Sequence, residues 1–543
     1  MNKKEILDYA VVGGGISGVY AAWRLFVDQP PKSGKPTVEI FETSFRLGGR
    51  LLSVNPPMIP TAEVELGGMR YIENYHIWVT SLVKKLKLKA NSLDAAMPQN
   101  FSYIRGERLR MSELTDADKL PYKLAPNERT PEVLSNITAV AAMLSLGHEI
   151  YRITGKNVKQ WQDLAHLTPD DWRRVGQEGE FEGIPLYKVP MHYLMLKTLS
   201  LEAYKLAQDS SGYDSILHTW NAADGFTWNV GDFGTDVRYL HLNDGFEELV
   251  TKLAHKFVKA GGTVNLESTL KSFDVDKKSK LVTMQVEEGG QIRTVTARNL
   301  ILALPRRALE LLDQTGAFLN PSNKKVHKLI SSVTPIPLFK LAICYRYPWW
   351  EEIPAVEIDG KMEKITKGKS TTDLPVRQCY YWAVDEKTNH AVILIYDDGT
   401  DLDYWAGLRD TTEPRFEHNH NELPAGIDMG NWDQFPAPKR MVDEVHRQLV
   451  ELHGVDPRSV PEPYTAAYRD WGEDPYGGGA AFWPVGSQSF KVSDQILKPK
   501  ASLPVYICGE NYSHEQGWVE GSLSSTENLL QKHLGLSSPG WKK

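Results

Sequence analysis

An α/β fold built around a dinucleotide-binding parallel sheet is what this sequence predicts, on three observations. The first is an apolar run, Tyr9-Ala-Val-Val12, that leads directly into Gly13, Gly14, Gly15 and Gly18. Their spacing is G-x-G-x-x-G, and a helical run follows from Val19 to Leu25. The second is Thr37-Val-Glu-Ile-Phe-Glu42, a further β-branched run that ends in an acid. The third lies far downstream. Val505-Tyr-Ile-Cys-Gly-Glu510 is another strand ending in a turn, and Gly517-Trp518-Val519 opens another helix. Two strand–turn–helix units so far apart suggest one cofactor gripped from both ends of the chain.

A strand, a glycine turn and a helix start together make an anion site. Backbone N–H groups at the helix N-terminus, here those of Ile16 and Ser17, point at the ligand, and the helix dipole favours negative charge there. Gly13 permits the turn, Gly15 lets a pyrophosphate approach, and Gly18 lets the helix pack close to the strand. Glu42, with Thr43 beside it, ends the second strand where an acid accepts hydrogen bonds from a ribose. It lies beyond the usual offset of about 20 residues, and the proline-rich insertion from Asp28 to Pro36 accounts for the extra length as a surface loop. Next comes Arg46-Leu-Gly-Gly-Arg50, in which arginines flank a glycine pair. Arginine neutralises phosphate with a fixed fork of donors, and glycine lets backbone come close. Glu63-Val-Glu-Leu-Gly67-Gly68-Met69-Arg70 is then a strand running into a second glycine turn with one arginine.

The chain has 543 residues, enough for two or three domains. Hydrophobic residues make up 41% and charged residues 24%, an ordinary globular composition. The net charge of −7 argues against nucleic acid as a partner. Cys344, Cys379 and Cys508 are scattered and odd in number, which gives neither a disulfide framework nor a metal spacing. No metal is expected. Residues 1–7 are too short and too acidic for a signal peptide, and no apolar run approaches the roughly 20 residues needed to cross a bilayer. A soluble cytoplasmic protein that does not engage a membrane is expected.

The glycine fingerprint, then Glu42-Thr-x-x-Arg-x-Gly-Gly-Arg50, then Glu65-Leu-Gly-Gly-Met-Arg70, resembles the flavin-containing amine oxidases, among them monoamine, polyamine and L-amino acid oxidases. The residues alone reach only an adenine dinucleotide; the resemblance implies FAD. It also implies a discontinuous Rossmann-like FAD-binding domain, a mixed-sheet substrate domain and an inserted helical domain. The expected boundaries are 1–70, 238–331 and 458–543 for the FAD-binding parts, 71–125 and 332–457 for the substrate-binding parts, and 126–237 for the helical one. Within these, residues 77–88 read as an amphipathic helix and 101–110 as a hairpin turning at Gly106. Residues 131–151, 157–164 and 190–208 read as helices, and Thr168-Pro-Asp-Asp as a helix start. A helix is expected from Leu242 to Lys259, ended by Gly261-Gly262, with strands at 263–266 and 294–304 after it. Residues 339–347, 378–384 and 391–396 have strand patterns, and 522–534 a helical one.

Lys340 opens an apolar strand, where burial disfavours its charge. A solvated strand end is the plain alternative. The resemblance, with Tyr, Pro and Trp downstream, implies a catalytic lysine linked through water to the flavin N5. Arg70 stands in a Gly-x-Met-Arg turn similar to that of the L-amino acid oxidases, where the arginine pairs with the substrate α-carboxylate. Bidentate arginine–carboxylate pairing is strong and geometrically selective. Gly368-Lys-Ser-Thr-Thr-Asp-Leu-Pro375 also resembles those oxidases, and by that alignment Tyr380 lines the cavity and Tyr396 is the second carboxylate ligand. Gly517 and Trp518 are expected beside the isoalloxazine, with Val519 and Glu510 completing that end of the cofactor site. Trp220 is a candidate substrate contact. Leu270 alone reads as sheet core, and the resemblance sets it near the adenine. No cysteine lies between Gly509 and Leu534, so FAD is expected to be non-covalent.

The expected activity is oxidation of an L-amino acid by O2, with uptake of water, to a 2-oxo acid, ammonia and H2O2, by a homodimer. A monoamine or polyamine oxidase, an amino-acid 2-monooxygenase and a non-catalytic flavoprotein are the alternatives.

Overall fold

The strand Ile6–Val12 forms the middle of a seven-stranded sheet. The computed structural model describes residues 6–28, 34–233, 237–399, 402–409, 415–419, 421–423, 427 and 429–542. Residues 1–5 and most of the expected surface loop before Pro36 lie outside them. Parallel partners flank Ile6–Val12: Val38–Phe41 on one side, with Thr263–Asn265 beyond it, and Gln291–Leu302 on the other. The strand Gln291–Leu302 is the pivot of the sheet. Its first half pairs antiparallel with Val282–Glu288, which continues to Ser268–Val275, and its second half pairs parallel with Val505–Ile507. The parallel strands are continuous apolar runs because helices cover both faces. Ile16–Trp23 is buried along its whole length. It packs between Glu248–Lys259 and Val519–Leu534.

A second seven-stranded sheet runs in the order Thr465–Asp470, Phe339–Tyr345, Ala391–Asp397, Gln378–Val384, Lys369–Thr372, Phe101–Ile104, Glu107–Arg110. Lys369–Thr372 and Phe101–Ile104 are parallel and the other neighbours antiparallel, so the sheet is mixed. Alternation along each strand splits the side chains between two faces. Phe339, Leu341, Ile343 and Tyr345 pack with Met441, Val445 and Leu449 of the helix Lys439–His453. Ala342, Cys344, Tyr380, Leu394 and Tyr396 face the other way, against Leu52, Leu66 and Met69. The site therefore forms where this second face meets the glycine turns of the first sheet.

Helices fill residues 131–233, but in shorter pieces than the periodicity predicts. The expected helix 131–151 breaks into Pro131–Ser135 and Ile137–Thr154 because Asn136 caps the second, its side chain accepting from Ala139 N. Ser200 does the same between Met191–Thr198 and Leu201–Ser211. Short polar side chains that bond nearby backbone end one helix and start the next. Thr168 starts Pro169–Glu178 with a reciprocal box to Asp171. The stretch 157–164 yields only the 3₁₀ turn Trp161–His166. Leu242 does not begin a helix. It ends the strand Tyr239–Leu242, which pairs with Tyr71–Ile72 and with Ala90–Ser92, and the helix starts at Glu248. That small sheet sets Tyr239 beside Arg70.

Candidate active site

The first glycine turn is shaped by contact and by vacancy. A Cβ on Gly13 would lie 2.5 Å from the Ala303 oxygen, and one on Gly18 would lie 1.9 Å from the Gly13 oxygen. These two close the turn and seat the helix on the strand. A Cβ on Gly15 would meet nothing nearer than Gly49 Cα at 3.8 Å. The second glycine pair abuts the first, with Gly48 N donating to the Gly14 oxygen at 2.9 Å. Ile16 and Ser17 form the first turn of the buried helix, so their amides face the Gly15 opening.

Glu42 leaves its strand at the turn and accepts from Gly14 N at 2.6 Å and Ser44 N at 2.8 Å. Thr43 Oγ1 donates to Thr269 Oγ1 at 3.1 Å, which brings the strand carrying Leu270 alongside the acid. The Leu270 side chain is buried in the sheet core, paired in register with Val286. At the other end, buried Glu510 accepts from Arg50 Nη1 at 2.7 Å, Gly517 N at 2.7 Å and Ala481 N at 3.2 Å. Gly509 is half-buried with φ 145°, and a Cβ there would meet no atom within 4 Å. Gly15 and Gly509 thus leave a cradle lined by backbone amides, an acid at the ribose end and an arginine between. That donor set fits an adenine dinucleotide.

Lys340 lies at the far end of this groove. Its Nζ donates to the Gly67 oxygen at 2.6 Å and the Glu65 oxygen at 3.3 Å, tying the mixed sheet to the second glycine turn. Burial pushes its pKa below the ordinary lysine value, and the Glu65 carboxyl pulls it partly back. Burial likewise raises the Glu65 carboxyl, against hydrogen bonds from Phe246 N and Ser53 Oγ. Tyr396 is the cross-strand neighbour of Lys340, and its ring lies 4.9 Å from Nζ.

Arg70 is buried, 6% exposed, among aromatic rings. Nη1 donates to Tyr380 Oη at 3.2 Å and Nη2 to Tyr213 Oη at 3.1 Å. The guanidinium lies 4.4 Å from the Tyr239 ring centre and 5.8 Å from that of Trp518. Asp232 approaches Nη2 at 4.0 Å and accepts from Tyr239 Oη at 2.8 Å. Burial raises the Asp232 carboxyl, and the Arg70 charge and the Tyr239 hydroxyl pull it partly back. Two of five arginine N–H groups are occupied by phenols, and an arginine stays charged at any working pH. A cavity of about 730 Å³ opens at Arg70, Asp232 and Lys369 and runs out past residues 92–97, residues 134–139 and Arg238.

Trp518 caps the helix Val519–Leu534 and is half-buried, while Val519 is buried beneath it. His76 stands 4.5 Å from the Trp518 ring, its Nδ1 accepting from Ile72 N at 3.0 Å. Burial and then the nearby Arg70 charge hold His76 down to about 3, so it is neutral. Trp220 stacks on Phe482 at 3.6 Å between ring centres and donates to Gln516 Oε1 at 3.2 Å. Trp220 is fully buried, 1% exposed, and reaches Trp518 through Trp228, whose centroid is 4.8 Å from its own and 6.2 Å from that of Trp518.

The description "Flavin containing amine oxidoreductase" matches residues 16–528. The chain belongs to that family. As a flavin containing amine oxidoreductase it binds FAD, and it acts as an oxidoreductase on CH–NH2 groups. It is similar to achacin of Lissachatina fulica, 26% identical over 549 residues, covering 97% of this chain and 93% of that one. It is also similar to the L-amino acid oxidase Bs29 of Bothriechis schlegelii, 23% identical over 534 residues, covering 96% and 89%. Among solved structures its fold matches cyclohexylamine oxidase from Brevibacterium oxydans IH-35A, with TM-score 0.63, 17% identity, and 97% and 98% of the two chains covered. Among the described residues no group of His, Cys, Asp or Glu is placed to hold a metal, and no helix is long and apolar enough to cross a membrane. All three cysteines are free and buried.

The structure brings Tyr380 and Trp518 to Arg70, with Lys340 and Tyr396 on the adjoining sheet face. Tyr213, Tyr239, Asp232 and Lys369 join them without any sequence expectation. Tyr213, Asp232 and Tyr239 come from the helical region and the strand after it, where no motif marks them. Lys369 stands inside the Gly368–Pro375 segment already singled out, and its position was the available signal.

Proposed function

We propose that this chain is an FAD-dependent L-amino acid oxidase. The arrangement of Arg70 carries the reading. A buried guanidinium, held by two phenols and facing a cavity, is suited to a carboxylate, which takes its remaining donors in parallel. An amine substrate without a carboxylate would leave the remaining guanidinium donors unmet, with Asp232 at 4.0 Å as the counter-charge, at a desolvation cost. L-amino acid oxidase Bs29 and its kin among the relatives support the same direction.

In this reading Arg70 anchors the α-carboxylate and Tyr380 and Tyr213 fix the guanidinium. Tyr396, across the strand from Lys340, adds a phenol to the pocket. The aromatic surfaces of Trp518 and Tyr239 confine the substrate so that Cα has one orientation. Bound FAD supplies the acceptor for the hydride lost from Cα. The imino acid then takes up water to give the 2-oxo acid and ammonia, and O2 is reduced to H2O2. Lys340, depressed by burial, serves the oxygen half of the cycle from beside Gly67. With no cysteine between Gly509 and Leu534, FAD is held without a covalent bond.

The test is Arg70→Ala with peroxide and 2-oxo acid measured across L-amino acids and primary amines. A KM rise of about 100-fold for amino acids, with amines unchanged, is expected from losing a charged bidentate contact. If amines are the better substrates of the wild-type enzyme, or if an amide and CO2 replace ammonia and peroxide, the reading fails.

A further inference from the structure

Behind the Arg70 clamp stands a chain of hydrogen bonds that begins at Lys369 on the cavity wall and runs inward to buried Gln378. Gln378 is fully buried, at 0% exposure. Its Nε2 donates to the Gly212 oxygen at 3.0 Å, which fixes which way the amide faces. Its Oε1 then lies 3.0 Å from Lys369 Nζ and 3.0 Å from Tyr380 Oη. Lys369 is 8% exposed, and its Nζ also donates to the Ser211 oxygen at 3.3 Å. An amide oxygen only accepts, and a lysine amine toward it only donates. The Tyr380 hydroxyl hydrogen must therefore point at Gln378. That leaves the lone pairs of Tyr380 Oη facing Arg70 Nη1, 3.2 Å away.

We propose that Lys369 and Gln378 are positioning residues for the substrate-carboxylate clamp: together they orient the Tyr380 hydroxyl so that it receives Arg70 Nη1. The proposal rests on the amino-acid reading above. Lys369 belongs to the mixed sheet, Gly212 ends the helix Leu201–Ser211, and Tyr380 sits one strand over. The chain thus locks the helical region to the sheet at the point where Arg70 is held. Without Lys369 the Gln378 amide loses one donor and a reason to hold its orientation. Tyr380 is then free to turn its hydrogen toward Arg70, where two donors would face each other. The guanidinium moves, and ligand carboxylates bind less well. The flavin groove and Lys340 lie on other partners and stay as they are.

The experiment uses FAD-loaded protein and benzoate as a carboxylate probe, with its Kd read from the flavin absorbance change. Steady-state constants for the best L-amino acid accompany it. Arg70→Ala tests the underlying reading, since unchanged benzoate binding there would remove the clamp itself. Given a clamp, Lys369→Met and Gln378→Leu should each weaken benzoate and raise amino-acid KM by about tenfold, the scale of one misplaced buried hydrogen bond. Values of kcat should stay within about threefold, and FAD affinity should not change. Lys369→Arg should restore benzoate binding to within about threefold, because it keeps the donor. The Lys369→Met/Gln378→Leu double variant should be no worse than either single one, as expected of residues in one chain. The proposal is overturned if Arg70→Ala abolishes benzoate binding while both single variants bind it normally. Additive losses in the double variant would overturn it too. If a single variant fails to fold, the other and Lys369→Arg still decide the matter.

Discussion

Arg50 and Glu510 are 460 positions apart in the chain and 2.7 Å apart in the fold. Their contact joins the glycine pair after the second strand to the turn after the last one. Glu510 also receives Gly517 N and Ala481 N, so one buried carboxylate orders three segments around the cofactor groove. Its counter-charge is partly open to solvent, with the Arg50 side chain 30% exposed.

Glu510→Gln keeps an acceptor for the two amides and removes the charge that holds Arg50. FAD affinity, measured by titrating the apoprotein, should fall about tenfold, within the range for losing one charge-assisted hydrogen bond. Arg50→Met should do the same, and combining the two should add little. Full additivity would mean that the two residues serve FAD separately.

Two alanine substitutions in the first glycine turn should part in their effects. Gly18→Ala places a methyl 1.9 Å from the Gly13 oxygen. It should destabilise the protein by about 3 kcal/mol or more, at the upper end of overpacking costs. Gly15→Ala meets open space and should leave the apoprotein melting point within about 2 °C, while FAD binding is lost. An apoprotein equally destabilised by both would show that Gly15 serves packing rather than the cofactor.

Tyr213→Phe and Tyr380→Phe each remove one acceptor from the Arg70 guanidinium. Amino-acid KM should rise about fivefold for each, near the value of one net hydrogen bond, with kcat changed less. A loss confined to kcat would place these phenols with the reacting atoms instead.

Asp398 offers a pH signature. Buried and bonded to Ser215 Oγ and to Asp214 N at 3.0 Å, it has its carboxyl pushed up by burial from 3.8 to about 6. A carboxyl raised in the folded state binds its proton there while the unfolded chain has released it. Its contribution to stability is therefore full below about 3.8 and is lost as pH rises through about 6. Urea unfolding of wild type and Asp398→Asn should show the wild type losing ground across that window and holding steady above it. A difference that grew with pH would reverse the sign and refute the assignment.

Sequence made the two ends of the groove legible because strand, glycine turn and acid are local signals, and Gly18 and Glu42 act on neighbours in their own unit. Arg70 was legible for the same reason, two residues past a glycine pair. Tyr213 and Asp232 were not. Each is one tyrosine or aspartate among many, and its role arises only when the helical region folds back onto Arg70. The helix breaks at Asn136 and Ser200 escaped the periodicity because the apolar spacing runs on through them. Only the side-chain caps interrupt it. Tyr380 and Tyr396 share a sheet face through strand register, and register is set by tertiary pairing that no single strand reveals.

The pivot strand Gln291–Leu302 has a consequence for how the protein is made. Ile6–Val12 waits for it, and it in turn waits for Val505–Ile507. At about 5–20 residues per second, translation needs roughly 10 to 40 seconds after Leu302 to supply those last strand residues. During that time an apolar parallel sheet stands with an open edge, the kind of surface that recruits unwanted strands. The groove is likewise missing Glu510 and the Trp518 helix start until synthesis has nearly ended. Cofactor capture is thus a late event in the life of the nascent chain, and a ribosome that stops early releases a polypeptide with half a cofactor site and an unprotected sheet.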